Sequence, residues 1–107
     1  MDLNMVVICG RVVGPPEIEV YESGACRMVL LVAVRSSHPR TRIDVVPVAW
    51  WDPPADARTK WEAGSRVWIA GSVQRRFSAA AEGRRSRLEI IAMAVNALPA
   101  STQAPGA

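Results

Sequence analysis

Four parts of the chain carry side chains able to grip a polyanion or stack on a planar group. They are Gln74-Arg75-Arg76-Phe77, the cluster Arg84, Arg85 and Arg87, the adjacent pair Trp50-Trp51, and Arg35. A guanidinium forks onto phosphate oxygens and lies flat on rings, while an exposed indole or phenyl offers its face to an unpaired base. Of the 13 basic residues only Lys60 is lysine. That bias permits nucleic-acid contact, but a GC-rich genome also favours arginine codons. With a net charge of only +3, charge alone does not decide the function.

Chemistry at a catalytic centre has no comparable support. The sequence holds no GxSxG, HExxH, CxxC or phosphate-loop pattern, and a lone histidine, His38, offers little for acid–base work. Cys9, Cys26 and His38 are too few for a structural zinc site. The reading is a non-enzymatic protein with no metal and no cofactor.

These residues must be positioned by strands. From Val67 to Val73 apolar side chains alternate (Val67, Ile69, Val73), with Gly71 breaking the row. Period two marks a strand with one buried face, and a mid-strand glycine marks a bend or bulge. The run leaves the body as Gln74-Arg75-Arg76-Phe77, which suits a small barrel gripping nucleic acid, or a merely solvated strand end.

Before it, Met5–Val13 reads as a buried strand bent at Gly10-Arg11, closed by Gly14-Pro15-Pro16. Glu17–Tyr21 is a short return strand ending at the Ser23-Gly24 turn. Cys26–Arg35 and Ile43–Trp51 are long strands, with Pro47 marking an edge or bulge in the latter. Pro53-Pro54 opens a short helix stopped by Gly64, on which Ala57 and Trp61 share a face. Residues 79–86 form a hairpin tip and Leu88–Leu98 the last strand. The predicted fold is all-β, a five-stranded antiparallel OB-fold barrel with a short helix between strands 3 and 4.

At 107 residues the chain is one domain, residues 1–98, followed by a short disordered tail at 99–107 rich in Pro, Ala and Ser. No apolar run approaches the ~20 residues of a membrane span, and Asp2 does not suit a secretory leader. The expected location is cytoplasmic, with Cys9 and Cys26 as free thiols.

Over about residues 4–98 the sequence resembles the bacterial single-stranded DNA-binding protein family. The resemblance rests on Asn4-Met5-Val6 leading to Gly10, on Pro16-Glu17-Ile18, on Ser23-Gly24, on Ala33-Val34-Arg35 and on Val48-Ala49-Trp50. Its most specific piece is Gly64-Ser65 followed by Val67, Ile69 and Gly71. The resemblance implies a homo-oligomer, tetramer or dimer, associated with the nucleoid in replication, recombination or repair. It implies binding of single-stranded DNA without sequence preference, with RNA left open, by base stacking and phosphate contacts within a basic groove.

The DNA-binding candidates are Arg35, Trp50, Trp51, Arg75, Arg76, Phe77, Arg84 and Arg85. Family spacing puts Trp50 on the groove side, so Trp51, its neighbour in a strand, points into the core or a subunit contact. Trp61 is read as core and Trp68 as structural. Several departures point to a weaker or specialised binder rather than the main housekeeping protein. His38 stands where an aromatic is frequent, Ile43–Val46 lacks a ring, Ser78 falls at a tryptophan position, and Glu19 replaces a basic residue. The acidic, phenylalanine-ending tip is missing too. The alternative is an OB-fold protein-interaction module resembling primosomal replication proteins, with weak nucleic-acid binding.

Overall fold

The computed structural model describes residues 1–58, 61–80 and 83–99, with backbone alone for Ser78, Ala79, Ala80 and Arg84. In chain order the elements are β1 (Val6–Val12), β2 (Glu17–Val20), β3 (Cys26–Ser36), β4 (Arg42–Trp51), a 3-10 turn (Ala55–Arg58), β5 (Arg66–Ala80) and β6 (Gly83–Ala97). The sheet runs β1-β5-β6-β4-β3-β2, and β1 also pairs with β3, which closes five strands into an OB-type barrel. The tail beyond Pro99 lies outside the described residues.

Closure depends on β1 serving two neighbours. Val6–Arg11 pairs with β5, and Arg11 and Val12 pair with Ala33 and Val32 of β3. The rest of that β3 edge belongs to β2, through Glu17↔Val29 to Val20↔Cys26. Asn4 extends the β1–β5 ladder with its side chain: Nδ2 donates to the Val73 carbonyl at 2.7 Å and Oδ1 accepts from the Val73 amide at 2.8 Å.

Alternation along β3 decides the interior. Met28, Leu30 and Val32 are fully buried, while Leu31 is exposed. They pack with Val12, Val48, Val67, Ile69, Ile90 and Trp61. Burying a side chain of this size contributes roughly 1.5–3 kcal/mol, so the core accounts for most of the favourable free energy.

The structure corrects several expectations. The helix is a single 3-10 turn, and Trp61 lies beyond it, although its ring and Ala57 are both buried as the sequence suggested. The barrel is not wholly antiparallel, since β4 meets β6 in parallel at Val48↔Ile90 and Ala49↔Ile91. Pro47 stands just before that short ladder, where β4 is still an edge. The β5–β6 hairpin runs further than expected, pairing as far as Ala80↔Gly83. Cys9 is exposed and only Cys26 is buried, both as free thiols.

Gly71 sits at a bulge: Ala70 pairs with Ala94 and Gly71 with Ala92, leaving Met93 unpaired and 80% exposed. A Cβ at Gly71 would run into the Ile91 carbonyl oxygen, which is backbone and cannot swing away. Gly71→Ala is therefore expected to cost about 1–3 kcal/mol. Urea unfolding monitored by circular dichroism measures it, and an unchanged midpoint would show that the sheet can give way.

Candidate nucleic-acid interface

Residues directly opposite in a ladder share a face, and this rule sorts the candidates. Met28 pairs with Trp50 and Arg27 with Trp51. Because Met28 is core, Trp50 lies on the interior face, half-buried against the core cluster. Trp51 lies on the outer face and is 41% exposed. The sequence-based orientation is thus reversed, and the cause lies at the strand's end. Asp52 takes a left-handed conformation, φ 51°, which aspartate tolerates. Its carboxylate accepts from the Cys26 amide at 2.9 Å while its own amide donates to the Cys26 carbonyl at 2.7 Å, pinning the register.

On the outer face Trp51 stacks on Tyr21, with centroids 5.7 Å apart and planes inclined by 23°. Offset stacks at this separation are a favoured aromatic geometry. The Tyr21 hydroxyl donates to Glu19 Oε1 at 2.8 Å. Arg27 Nη1 donates to the same oxygen at 3.2 Å, and Arg27 Nη2 donates to Glu89 Oε2 at 2.8 Å. Tyr21, then Arg27, hold the Glu19 carboxyl below its ordinary range, with Arg76 acting in the same direction from a distance.

Arg76 belongs to this face through its register with Arg87, next to Gln74 and Glu89. Arg76, Arg85, Ser86 and Arg87 line a cleft of about 340 Å³. Arg87 also borders a second hollow of about 240 Å³ formed by Val13, Gly14, Pro15, Glu17, Val29 and Leu31. The hairpin arginines and the β2–β3 surface therefore adjoin across Arg87.

The remaining candidates are dispersed. Arg75 and Phe77 pair with Leu88 and Ser86, on the face that carries Val73 and Ile90 into the core. Phe77 is exposed there, and Arg75 Nη1 donates to Ser86 Oγ at 3.1 Å. Arg35 is exposed at the far end of β3, opposite Ile43. Arg84 pairs with Ala79 through its backbone, and its side chain lies outside the described residues. Trp68 stands opposite Cys9 and Asn96, half-exposed away from this site.

Sequence reasoning missed Tyr21, Arg27, Glu89 and the weight of Arg87. One signal was present: Arg27 is the sole charge between Cys26 and Val34. A charge inside a buried strand requires a counter-charge.

An OB-type barrel with rings and arginines on one outer face is the class of protein these features define. The profile described as "Single-strand binding protein family" matches residues 3–98, and the chain belongs to that family. A single-stranded DNA-binding protein 1 of Nostoc sp. and a single-stranded DNA-binding protein of Anabaena variabilis are each 29% identical over 75 residues. The matches cover 69% of this chain and 63% of those proteins, less than two thirds of their length. The fold is similar to that of the Plasmodium falciparum SSB solved in complex with single-stranded DNA. That comparison has a TM-score of 0.78 at 21% identity, covering 92% of this chain and 97% of the other.

The Arg27–Glu89 pair is almost fully buried, its two side chains each 4% exposed. Removing one partner of such a pair costs ~3–5 kcal/mol because the other charge is stranded. Arg27→Met and Glu89→Leu should each destabilise by about that amount, and the double variant by clearly less than their sum, measured by chemical denaturation. Additive losses would show no coupling. Glu19 adds a pH dependence. With its folded pKa lowered, its contribution is complete at neutral pH and is lost as pH falls through that lowered value. Glu19→Gln should flatten the acid side of the stability profile.

Proposed function

We propose that this protein binds single-stranded DNA non-sequence-specifically, through base stacking and phosphate contacts, and performs no chemistry on it. The observation that carries this reading is the Trp51–Tyr21 stack on the outer face, beside Arg76 and the cleft shared by Arg85 and Arg87. Rings supply stacking worth ~1–3 kcal/mol per base, and the arginines supply phosphate contacts. The names of the cyanobacterial relatives and of the Plasmodium falciparum complex support the same ligand class. A cytoplasmic site of action at the nucleoid, in replication, recombination or repair, accords with that ligand, and RNA is the competing ligand to exclude.

The binding unit in this reading is a homo-oligomer, a dimer or tetramer. Leu3, Met5 and Val7 are exposed at 86%, 71% and 55%. Among the described residues, β1 ahead of Arg11 pairs only on its β5 side. An open edge with apolar side chains is surface that proteins bury. Sedimentation at micromolar concentration should show an oligomer, and a monomer would contradict the assembly.

Tryptophan fluorescence titration with oligo(dT) and with a duplex of equal length, at two salt concentrations, tests the ligand. Much tighter binding of oligo(dT) is expected, because only unpaired bases expose their faces. Equal affinity for the duplex would overturn it. Replacing Arg76 and Arg87 together with Ala should flatten the logarithmic salt dependence by about 0.7 per lost phosphate contact on single strands. An unchanged slope would remove them from the interface.

A further inference from the structure

Glu19 is out of place on a surface that meets phosphates, and its geometry gives it a different task. Arg27 is already neutralised by Glu89, whose carboxylate and guanidinium are buried together. Glu19 therefore leaves the triad with an excess negative charge, and its side chain is 51% exposed. Both of its hydrogen bonds, from Tyr21 and Arg27, fall on Oε1. Among the described residues no hydrogen bond falls on Oε2, and the same carboxylate holds the hydroxyl of Tyr21, whose ring stacks on Trp51.

A carboxylate only accepts hydrogen bonds and repels phosphate, so the group it favours here is a donor on the edge of a base. We propose that Glu19, Tyr21 and Trp51 form a base-reading subsite that prefers a base bearing an exocyclic amine, cytosine foremost, over thymine. The stacked rings seat the base by its face. Glu19 Oε2 accepts from the amine, as acidic side chains do from cytosine N4. Thymine offers carbonyl oxygens where cytosine carries its amine, and the carboxylate repels them. Tyr21 positions Glu19 through its hydroxyl and supplies the second ring. This inference rests on the single-strand reading and adds one discriminating position to an otherwise sequence-tolerant path.

The test compares short oligo(dC) and oligo(dT) by fluorescence titration at neutral pH. It uses the wild-type protein, Glu19→Gln, Tyr21→Leu and Tyr21→Phe, with melting temperatures recorded for each. Glutamine keeps the shape but can present either an amide donor or a carbonyl acceptor. Glu19→Gln should therefore shift the ratio of the two affinities about 5-fold or more towards oligo(dT). Tyr21→Leu should weaken both oligonucleotides by about 5- to 150-fold, and Tyr21→Phe should recover most of that loss.

An unchanged affinity ratio in Glu19→Gln, with both oligonucleotides still bound, overturns the inference and leaves the single-strand reading intact. Unweakened binding by Tyr21→Leu overturns the ring platform in the same way. If the wild-type protein binds neither oligonucleotide, the single-strand reading falls and this inference with it.

Discussion

Barrel closure at Gly10–Val12 is the constraint on which the rest of the structure depends. One short strand must leave β5 and join β3 within a few residues. A Cβ at Gly10 would meet the Ala33 carbonyl oxygen and the Val32 side chain, so the crossing admits glycine alone without a shift of backbone. Immediately after it, Val12 is buried in the core, donates its amide to the Ser65 carbonyl at 2.9 Å and accepts from the Gly64 amide at 2.7 Å. Those bonds fix where β5 begins. A barrel has no free edge only if every seam closes, and this seam, like the parallel one between β4 and β6, is two residue pairs wide.

Because β1 occupies only the Ala33–Val32 part of the β3 edge, β2 can take the remainder. That division places Glu19 opposite Arg27 and carries the chain on to Tyr21 beside Trp51. Arg27 reaches across β4 to Glu89 on β6, two strands that β4 separates. On β4 the residue of that face nearest this crossing is Ala49, small and fully buried, which leaves room for the guanidinium. The buried pair pays a desolvation cost that its attraction roughly offsets, so its effect is chiefly to fix how β3 and β6 face one another.

The two faces of the barrel consequently do different work. The inner face is aliphatic, with Trp50 and Trp61 filling its ends. The outer face collects the Tyr21–Trp51 stack, Glu19, Arg27, Glu89, Arg76 and Arg87, drawn from β3, β4, β5, β6 and from β2 with the residue just after it. None of these strands alone carries a recognisable site. The site arises because β3 and β4 lie side by side in register from Arg27↔Trp51 to Ser36↔Arg42, while the long β5–β6 hairpin brings Arg76 and Arg87 alongside.

Strand content and the barrel were legible in the sequence, since period-two alternation around Val67, Ile69 and Val73 and the glycines at 10 and 71 have few other uses. The family could be read from the same residues because backbone close approach restricts their identity. Trp61 could be assigned to the core from its place beside Ala57. Which tryptophan faces out was not legible in the sequence, because strand register slips by one without changing the apolar count. That slip was settled by Asp52, whose hydrogen bonds to Cys26 connect positions 26 residues apart. The Arg27–Glu89 pair, separated by 62 positions, was equally hidden: a lone charge in a strand announces that it needs a partner, and only the closed barrel says which one.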